Sequence, residues 1–255
     1  MSKKQTIENK KLVGKEFKNK FGSTIIMTEY RTNNDIDVYF PEYNWTRTHT
    51  SFQHFKNQQT SCPYEPRTYG HGYLGEGQYT MKRGEKYFDI WRAMISRCYN
   101  KETYMSHPTY KKCTVCDEWL NYQNFCLWFE NNYYEVPEET MCLDKDILIK
   151  GNTIYSPETC CFVPSTINNL FTNRKEHRGK YLIGVSKASK NRYTAYLNKK
   201  DKRVRLGTYI TEEDAFMAYK TEKEEYIKQV ADLYINMIPD NLYQAMYDWT
   251  VDMND

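Results

Sequence analysis

Short stretches of alternating apolar and polar residues dominate the amino-terminal quarter of the chain. Residues 23–27 and 36–40 are rich in β-branched and aromatic side chains, and residues 32–35 between them have the composition of a turn. This pattern predicts a hairpin within a small antiparallel β-barrel over residues 1–64. Residues 63–77 hold two of the eight prolines and four of the eleven glycines, so residues 65–84 are predicted to be a linker.

Helical spacing begins near Tyr87 and continues to about residue 129, with Asp117 as a favourable cap for a second helix. We expect the aromatic residues here to form a core: Phe88, Trp91, Trp119, Phe125, Trp128 and Phe129. Residues 143–163 have the pattern of a β-hairpin, and Pro164 and Ser165 begin another helix. The resulting order is helix, helix, strand, strand, helix.

The carboxyl-terminal third predicts a separate sheet and helix. Residues 181–208 fit three strands, and Thr211 caps a helix that extends to about Tyr234, with a short final helix over residues 241–249. In the second strand Tyr193, Ala195 and Leu197 alternate with Thr194, Tyr196 and Asn198. One face of the sheet is expected to pack on the helix, which leaves the other free. The fold class is therefore α+β and multidomain, with domains at 1–64, 85–177 and 178–255.

The charge is distributed unevenly along the chain. Residues 173–207 contain twelve Lys or Arg against two acidic residues, a balance of +10, whereas the remaining 24 basic and 31 acidic residues give −7. Such a block is typical of a surface that binds a polyanion, although a solvated basic surface is the simpler alternative. The side chains expected on the free face to contact double-stranded DNA are Lys187, Arg192, Tyr196, Arg203 and Arg205.

Cellular location and metal content follow from other features of the sequence. No apolar run approaches the roughly 18 residues of a membrane span, and no signal region follows the amino terminus. We therefore expect a cytoplasmic protein with no membrane partner, whose eight cysteines are mostly buried thiols. Cys113 and Cys116 have zinc-ligand spacing, and a structural Zn²⁺ with Cys142 and Cys160 is the alternative.

Four motifs resemble the plant ethylene-response-factor (Apetala-type) DNA-binding domain. They are Gly184-Val185, Tyr193-x-Ala195, Leu206-Gly207-Thr208-Tyr209 and the run from Thr211 to Tyr219. The resemblance covers about 55 residues and implies that the sheet enters the major groove of DNA. Tyr193 stands where the plant domain has tryptophan, so individual base contacts do not carry over.

The middle of the chain resembles phage HNH endonucleases, which have a ββα-metal site. The motifs are Trp91-x-x-Met94-x-x-Arg97-Cys98-Tyr99-Asn100, Val115-Cys116-Asp117-Glu118-Trp119 and the stretch from Leu143 to Asn168. This resemblance implies a divalent-metal endonuclease of phage origin, in the host bacterial cytoplasm, that hydrolyses DNA phosphodiesters. Asp144 and Asn168 would hold Mg²⁺ or Mn²⁺.

Lys145 departs from the family pattern, because it stands where that family has its general-base histidine. Lysine is protonated at neutral pH unless its surroundings depress its pKa. Asp146 would position water, and Asn152 would replace the middle asparagine of the motif. Three hypotheses result: an active endonuclease, a DNA-binding regulator or blocker that keeps the nuclease fold as a scaffold, and a module that binds a host protein.

Overall fold

The computed structural model describes residues 3–172, 180–200 and 202–255. The chain divides into two compact units, residues 1–131 and 132–255. Both units mix helices with antiparallel strand pairs, in agreement with the α+β class. Within the described residues, no helix has the length and apolar character needed to cross a bilayer.

The first unit opens with a four-stranded antiparallel sheet in the order β1-β2-β3-β4. Its elements are α1 (Lys3–Lys10), β1 (Glu16–Lys18), β2 (Thr24–Thr32), β3 (Asp35–Phe40), a 3₁₀ helix (Pro41–Tyr43), β4 (Trp45–Thr50) and α2 (Phe52–Lys56). Every second residue of β3 is buried, because one face of the sheet covers the core and the other meets solvent. The predicted hairpin is confirmed as β2 and β3.

The predicted closed barrel is wrong for the described residues, since the sheet is open. β1 is only three residues long, all of them exposed, and it pairs with β2 alone. A barrel would need a β1–β4 pairing to close the ring. The apolar face instead packs on α2 through Phe52 and Phe55.

Helices rich in aromatic residues, with one short strand among them, complete the first unit. The elements are α3 (Lys86–Tyr99), α4 (Lys101–Ser106), a 3₁₀ helix (Pro108–Lys112), β5 (Thr114–Val115), α5 (Asp117–Leu120) and α6 (Tyr122–Asn132). Trp91, Trp119 and Phe125 are fully buried, which confirms the predicted aromatic core. Asp117 is the first residue of α5 and not its cap, which is Cys116, and the helix is interrupted at Asn121.

Residues 65–84 are packed against these helices. A β-carbon on Gly72 would lie 2.7 Å from the Trp91 ring, and one on Gly77 would lie 2.2 Å from the Gln123 amide oxygen. Gln123 donates to the carbonyl oxygens of Leu74 and Tyr79 at 3.1 and 2.9 Å. The glycines therefore permit a close approach of the backbone to side chains.

The second unit contains two sheets joined by a long helix. Its elements are β6 (Met141–Asp144), β7 (Ile154–Tyr155), β8 (Cys161–Pro164), α7 (Ser165–Phe171), β9 (Val185–Ser189), β10 (Arg192–Lys199), β11 (Lys202–Tyr209), α8 (Glu212–Tyr234) and α9 (Asp240–Tyr247). β6 pairs antiparallel with β8, and the other sheet has the order β11-β10-β9. The Thr211 hydroxyl accepts from the Asp214 N–H at 3.1 Å, which confirms the predicted cap of α8.

Candidate nucleic-acid interface and acidic loop

The β9–β11 sheet has one face on α8 and one face free of it, here called the outer face. On the helix side, Ala195 and Leu197 are buried with Phe216 of α8. Tyr196 pairs with Arg205 across the ladder, and Asn198 pairs with Arg203. Because paired residues project to the same side, these four side chains lie on the outer face, as the alternation predicts.

A β-bulge at Leu206 keeps this division intact along β11. The register shifts between Ala195 and Tyr196, so that Leu206 is the extra residue. Without the bulge, Thr208 and Leu206 would alternate onto the same side of the sheet. With it, Leu206 packs against the helix-side cluster, whereas Thr208 pairs with Thr194 and shares a hydroxyl–hydroxyl hydrogen bond of 3.0 Å with it.

The two outer-face arginines are held by neutral groups. The Arg203 guanidinium carbon lies 4.0 Å from the centre of the Tyr196 ring, and its Nη2 donates to the Ser186 hydroxyl at 3.2 Å. Arg205 donates to the Thr208 hydroxyl. Among the residues that the structure describes, no carboxylate forms an ion pair with either arginine. Their positive charge therefore remains available to an anionic ligand.

The remaining two predicted contacts differ in position. Arg192 is exposed at the start of β10 and, by alternation, lies on the outer face. Lys187 pairs with Tyr193, and its ammonium lies 4.7 Å from the centre of that ring. Tyr193 packs on the helix side, so the prediction that Lys187 shares the face of the arginines is wrong. Part of the predicted basic block, residues 173–179 and 201, lies outside the described residues.

The sheet rests on α8 through a contact that requires glycine. Gly184 has φ of +75°, and a β-carbon there would lie 2.1 Å from the Tyr219 ring. Tyr219 is buried together with Ala215 and Phe216. The backbone before β9 can therefore lie directly on the helix only because residue 184 has no side chain.

The predicted hairpin over residues 143–163 contains a long excursion, here called the acidic loop (residues 144–152). The Asp144 Oδ1 accepts from the backbone N–H groups of Asp146 and Ile147, both at 2.8 Å. These two N–H groups donate to a side chain and not to a neighbouring strand, so β6 ends at Asp144. The two strands still meet as predicted, with Asp144 opposite Cys161.

The predicted catalytic side chains of the acidic loop are occupied with one another or with the backbone. Lys145 is only 9% exposed, and its Nζ donates to the Asp146 carboxylate at 2.9 Å. Asn152 Nδ2 donates to the carbonyl oxygens of Lys145 and Ile154 at 2.6 and 2.7 Å. Asn152 therefore closes the loop and presents no free amide to a substrate.

Electrostatics set Asp144 apart from an ordinary carboxyl group. Burial, reinforced by the nearby charge of Asp146, raises the pKa of Asp144 to about 6, against the two backbone N–H groups that favour its charged form. Asn168 is half-buried on α7. Within the described part of the chain, no hydrogen bond connects its side chain to Asp144.

These residues do not fit the divalent ion that the resemblance implies. The ammonium of Lys145 already neutralises Asp146, and one oxygen of Asp144 is shared by two backbone N–H groups. A metal would have to compete with both interactions. The burial and ion pair of Lys145 also leave its amine without the access to water that a general base needs.

One group of metal-ligand type does come together in the described residues, and sequence analysis missed it: Asp35, Asp37 and His49. The guanidinium of Arg31 forms ion pairs with both carboxylates, with its Nε 2.9 Å from Asp35 Oδ2 and its Nη2 2.6 Å from Asp37 Oδ1. Hydrogen bonds from Arg31 hold the pKa of both carboxyl groups below the usual range. The alternation of β3 carried the only signal, because it places Asp35 and Asp37 on one face.

Of the four cysteines of the alternative zinc site, Cys113 and Cys116 lie in the unit of residues 1–131, and Cys142 and Cys160 lie in the unit of residues 132–255. Cys113 and Cys160 are buried, and Cys116 and Cys142 are half-buried. Burial raises the pKa of Cys160 to about 12. Zinc coordinates the thiolate form, so a zinc ion at this position would have to displace the thiol proton.

Comparisons of the chain with protein-family models, with curated proteins and with solved structures found no match. The function is therefore inferred from the side chains themselves.

Proposed function

We propose that this chain binds double-stranded DNA through the outer face of the β9–β11 sheet. The observation that carries the proposal is the pair Arg203 and Arg205, exposed and without a carboxylate partner in the described residues. The ring of Tyr196 packs against the guanidinium of Arg203. Planar guanidinium groups suit guanine edges and phosphates because their N–H donors lie in a fixed fork.

The dimensions of the sheet agree with this function. Neighbouring strands lie about 4.8 Å apart, so three strands span roughly 10 Å between the outer backbones. The major groove of B-form DNA is about 12 Å wide and admits a two-stranded ribbon. The β10–β11 pair, which carries both arginines, is the part that would enter, and β9 would lie along the rim of the groove.

A titration of the full chain tests this proposal. We expect a fluorescein-labelled duplex of about 30 base pairs to show saturable binding by anisotropy at 50 mM salt. The same experiment with a single strand of equal length should give weaker binding, because a flexible strand has no groove for the sheet. A chain that does not bind the duplex at low ionic strength contradicts the proposal.

Metal-dependent cleavage of DNA is the second candidate, and the order of elements in the second unit favours it. β6 and β8 form an antiparallel pair that is followed by α7, with Asp144 as the last residue of β6 and Asp146 two residues beyond it. Cleavage would require the metal to displace Lys145 from Asp146. We therefore infer that the acidic loop serves mainly as a scaffold.

Plasmid nicking separates the two candidates. The scaffold hypothesis predicts no conversion of supercoiled plasmid by the wild-type chain with Mg²⁺ or Mn²⁺. Conversion that is lost in Asp144→Ala but kept in the exposed control Asp248→Ala would favour the endonuclease. Duplex binding is measured on the same samples, so that loss of cleavage is not confused with loss of binding.

A further inference from the structure

Three tyrosine side chains line a pocket of about 370 Å³ in the unit of residues 1–131. Tyr43 ends the 3₁₀ helix after β3, whereas Tyr64 and Tyr73 belong to the packed segment that follows α2. The Tyr64 and Tyr73 ring centres are 6.0 Å apart and their planes meet at 50°. All three residues are half-buried, so their rings form walls that remain open to a ligand.

The backbone holds this pocket in place. The Tyr73 N–H donates to the Leu120 carbonyl oxygen, and the Tyr73 carbonyl oxygen accepts from the Tyr122 N–H, both at 2.9 Å. Gly75 donates to the Pro63 carbonyl oxygen at 3.0 Å. The walls are therefore positioned before any ligand arrives, which lowers the entropy loss on binding.

Glu76 places a negative charge beside the aromatic walls. Its two carboxylate oxygens accept from the indole N–H of Trp45 and from the hydroxyl of Tyr64, each at 2.8 Å. These hydrogen bonds hold the pKa of Glu76 below the usual range, and the carboxylate raises the pKa of Tyr64 to about 12. The pocket therefore combines a fixed carboxylate with a Tyr64 phenol that remains protonated.

We propose that the pocket of Tyr43, Tyr64 and Tyr73 binds a methylated ammonium group, with Glu76 as the counter-charge. Ring faces carry negative potential and attract a cation within about 6 Å of their centres. A quaternary ammonium is weakly hydrated, so it enters an aromatic pocket more readily than a primary ammonium does. Glu76 would repel a phosphate, which makes this site unsuited to the DNA backbone and separate from the proposed interface.

The same chemical group occurs on a methylated lysine side chain and on small molecules such as choline. Calorimetric titration of the full chain with tetramethylammonium tests the shared chemistry. Titrations with choline and with a peptide that carries trimethyllysine then distinguish the two sources. The neutral isostere of choline, 3,3-dimethyl-1-butanol, is the matched control, since it keeps the shape and lacks the charge.

We expect tetramethylammonium and choline to bind, and the neutral isostere to bind at least about twofold more weakly, the lower limit for one cation–π contact. Tyr73→Leu should weaken choline binding by about 2- to 30-fold. Glu76→Gln keeps an oxygen that accepts a hydrogen bond but removes the charge, so it should weaken choline binding. Its two hydrogen bonds become weaker, so a small loss of stability is expected, and thermal unfolding should show that the variant is still folded at the titration temperature. Tyr104→Leu, outside the pocket, should bind as the wild type does.

Two results would overturn this inference. Equal affinity for choline and its neutral isostere would make the pocket a simple apolar site. Binding of adenosine monophosphate in the absence of tetramethylammonium binding would make it a base-stacking site. If Tyr73→Leu fails to fold, Glu76→Gln decides, because undiminished choline binding by that variant removes the counter-charge from the proposal.

Discussion

Replacement of both outer-face arginines, Arg203→Ala with Arg205→Ala, is the most direct perturbation of the proposed DNA interface. Both side chains are exposed, and each donates to a single hydroxyl, while Arg203 also packs on the Tyr196 ring at the surface. Their loss should therefore leave the sheet folded. An arginine that grips a base edge contributes about 1–3 kcal/mol, so the pair should contribute at least about 2 kcal/mol, or about 30-fold in Kd.

The salt dependence of binding gives a second, independent magnitude. If about six phosphates are neutralised by the outer-face arginines and other basic residues, the log–log slope should be about −5. If both arginines contact phosphate, their removal should change the slope to about −3.5. Contacts to base edges would instead lower the affinity with little change of slope, so the two numbers together identify the kind of contact.

Fluorescence anisotropy across 50 to 300 mM salt measures both quantities on one labelled duplex. The charge-matched control is Lys111→Ala with Lys112→Ala, which removes two exposed positive charges from the other unit. That control should bind within about twofold of the wild type. Retention of both affinity and slope by the arginine variant, or an equal loss in the control, would refute the assignment of the outer face.

Three further results test the local structure. Gly184→Ala should lower the free energy of unfolding by about 2–4 kcal/mol, because the new methyl group meets Tyr219 and the left-handed backbone disfavours it. Gly151→Ala, at φ of +80° with open space around it, should lower it by only about 1–2 kcal/mol in the same urea titration. Asp144→Asn should stabilise the chain by about 1–3 kcal/mol at pH 7.5, since the folded state holds the Asp144 proton more tightly than the unfolded chain. The free energy of unfolding of the wild type should fall as the pH rises from about 4 to about 6, because Asp144 loses its proton over that range. If the wild type and Asp144→Asn differ by the same amount at every pH, the raised pKa of Asp144 is not the cause of the difference.

The local sequence pattern was sufficient to predict much of the structure of the second unit. The apolar alternation of β10 assigned Ala195 and Leu197 to the core side, and the Thr211 cap located the start of α8. Both features depend on neighbours in sequence, where the periodicity of side chains is a direct guide. The outer-face positions of Tyr196, Arg203 and Arg205 were predictable for the same reason.

The faces of residues on edge strands, and whether a sheet closes into a barrel, were not predictable in this way. The side of the sheet taken by Lys187 depends on its pairing with Tyr193 and on a register shift next to it, and bulges leave no clear mark in a single sequence. Closure of the amino-terminal sheet depends on whether β1 meets β4, which is a contact between residues distant in sequence. The ion pair between Lys145 and Asp146 could not be predicted either, since adjacent acidic and basic side chains usually extend into solvent without contacting each other.

Helix α8 belongs to two cores at once. Its first turns bury Ala215 and Phe216 under the β9–β11 sheet, and its later turns bury Ile227 and Val230 with Val163 of β8. At 23 residues it extends about 35 Å as one rod. A force that a bound duplex exerts on the β9–β11 sheet would therefore be transmitted through the helix to the β6–β8 pair. A truncation within this helix would strip apolar surface from both cores together, so we expect the carboxyl-terminal half to melt in a single transition.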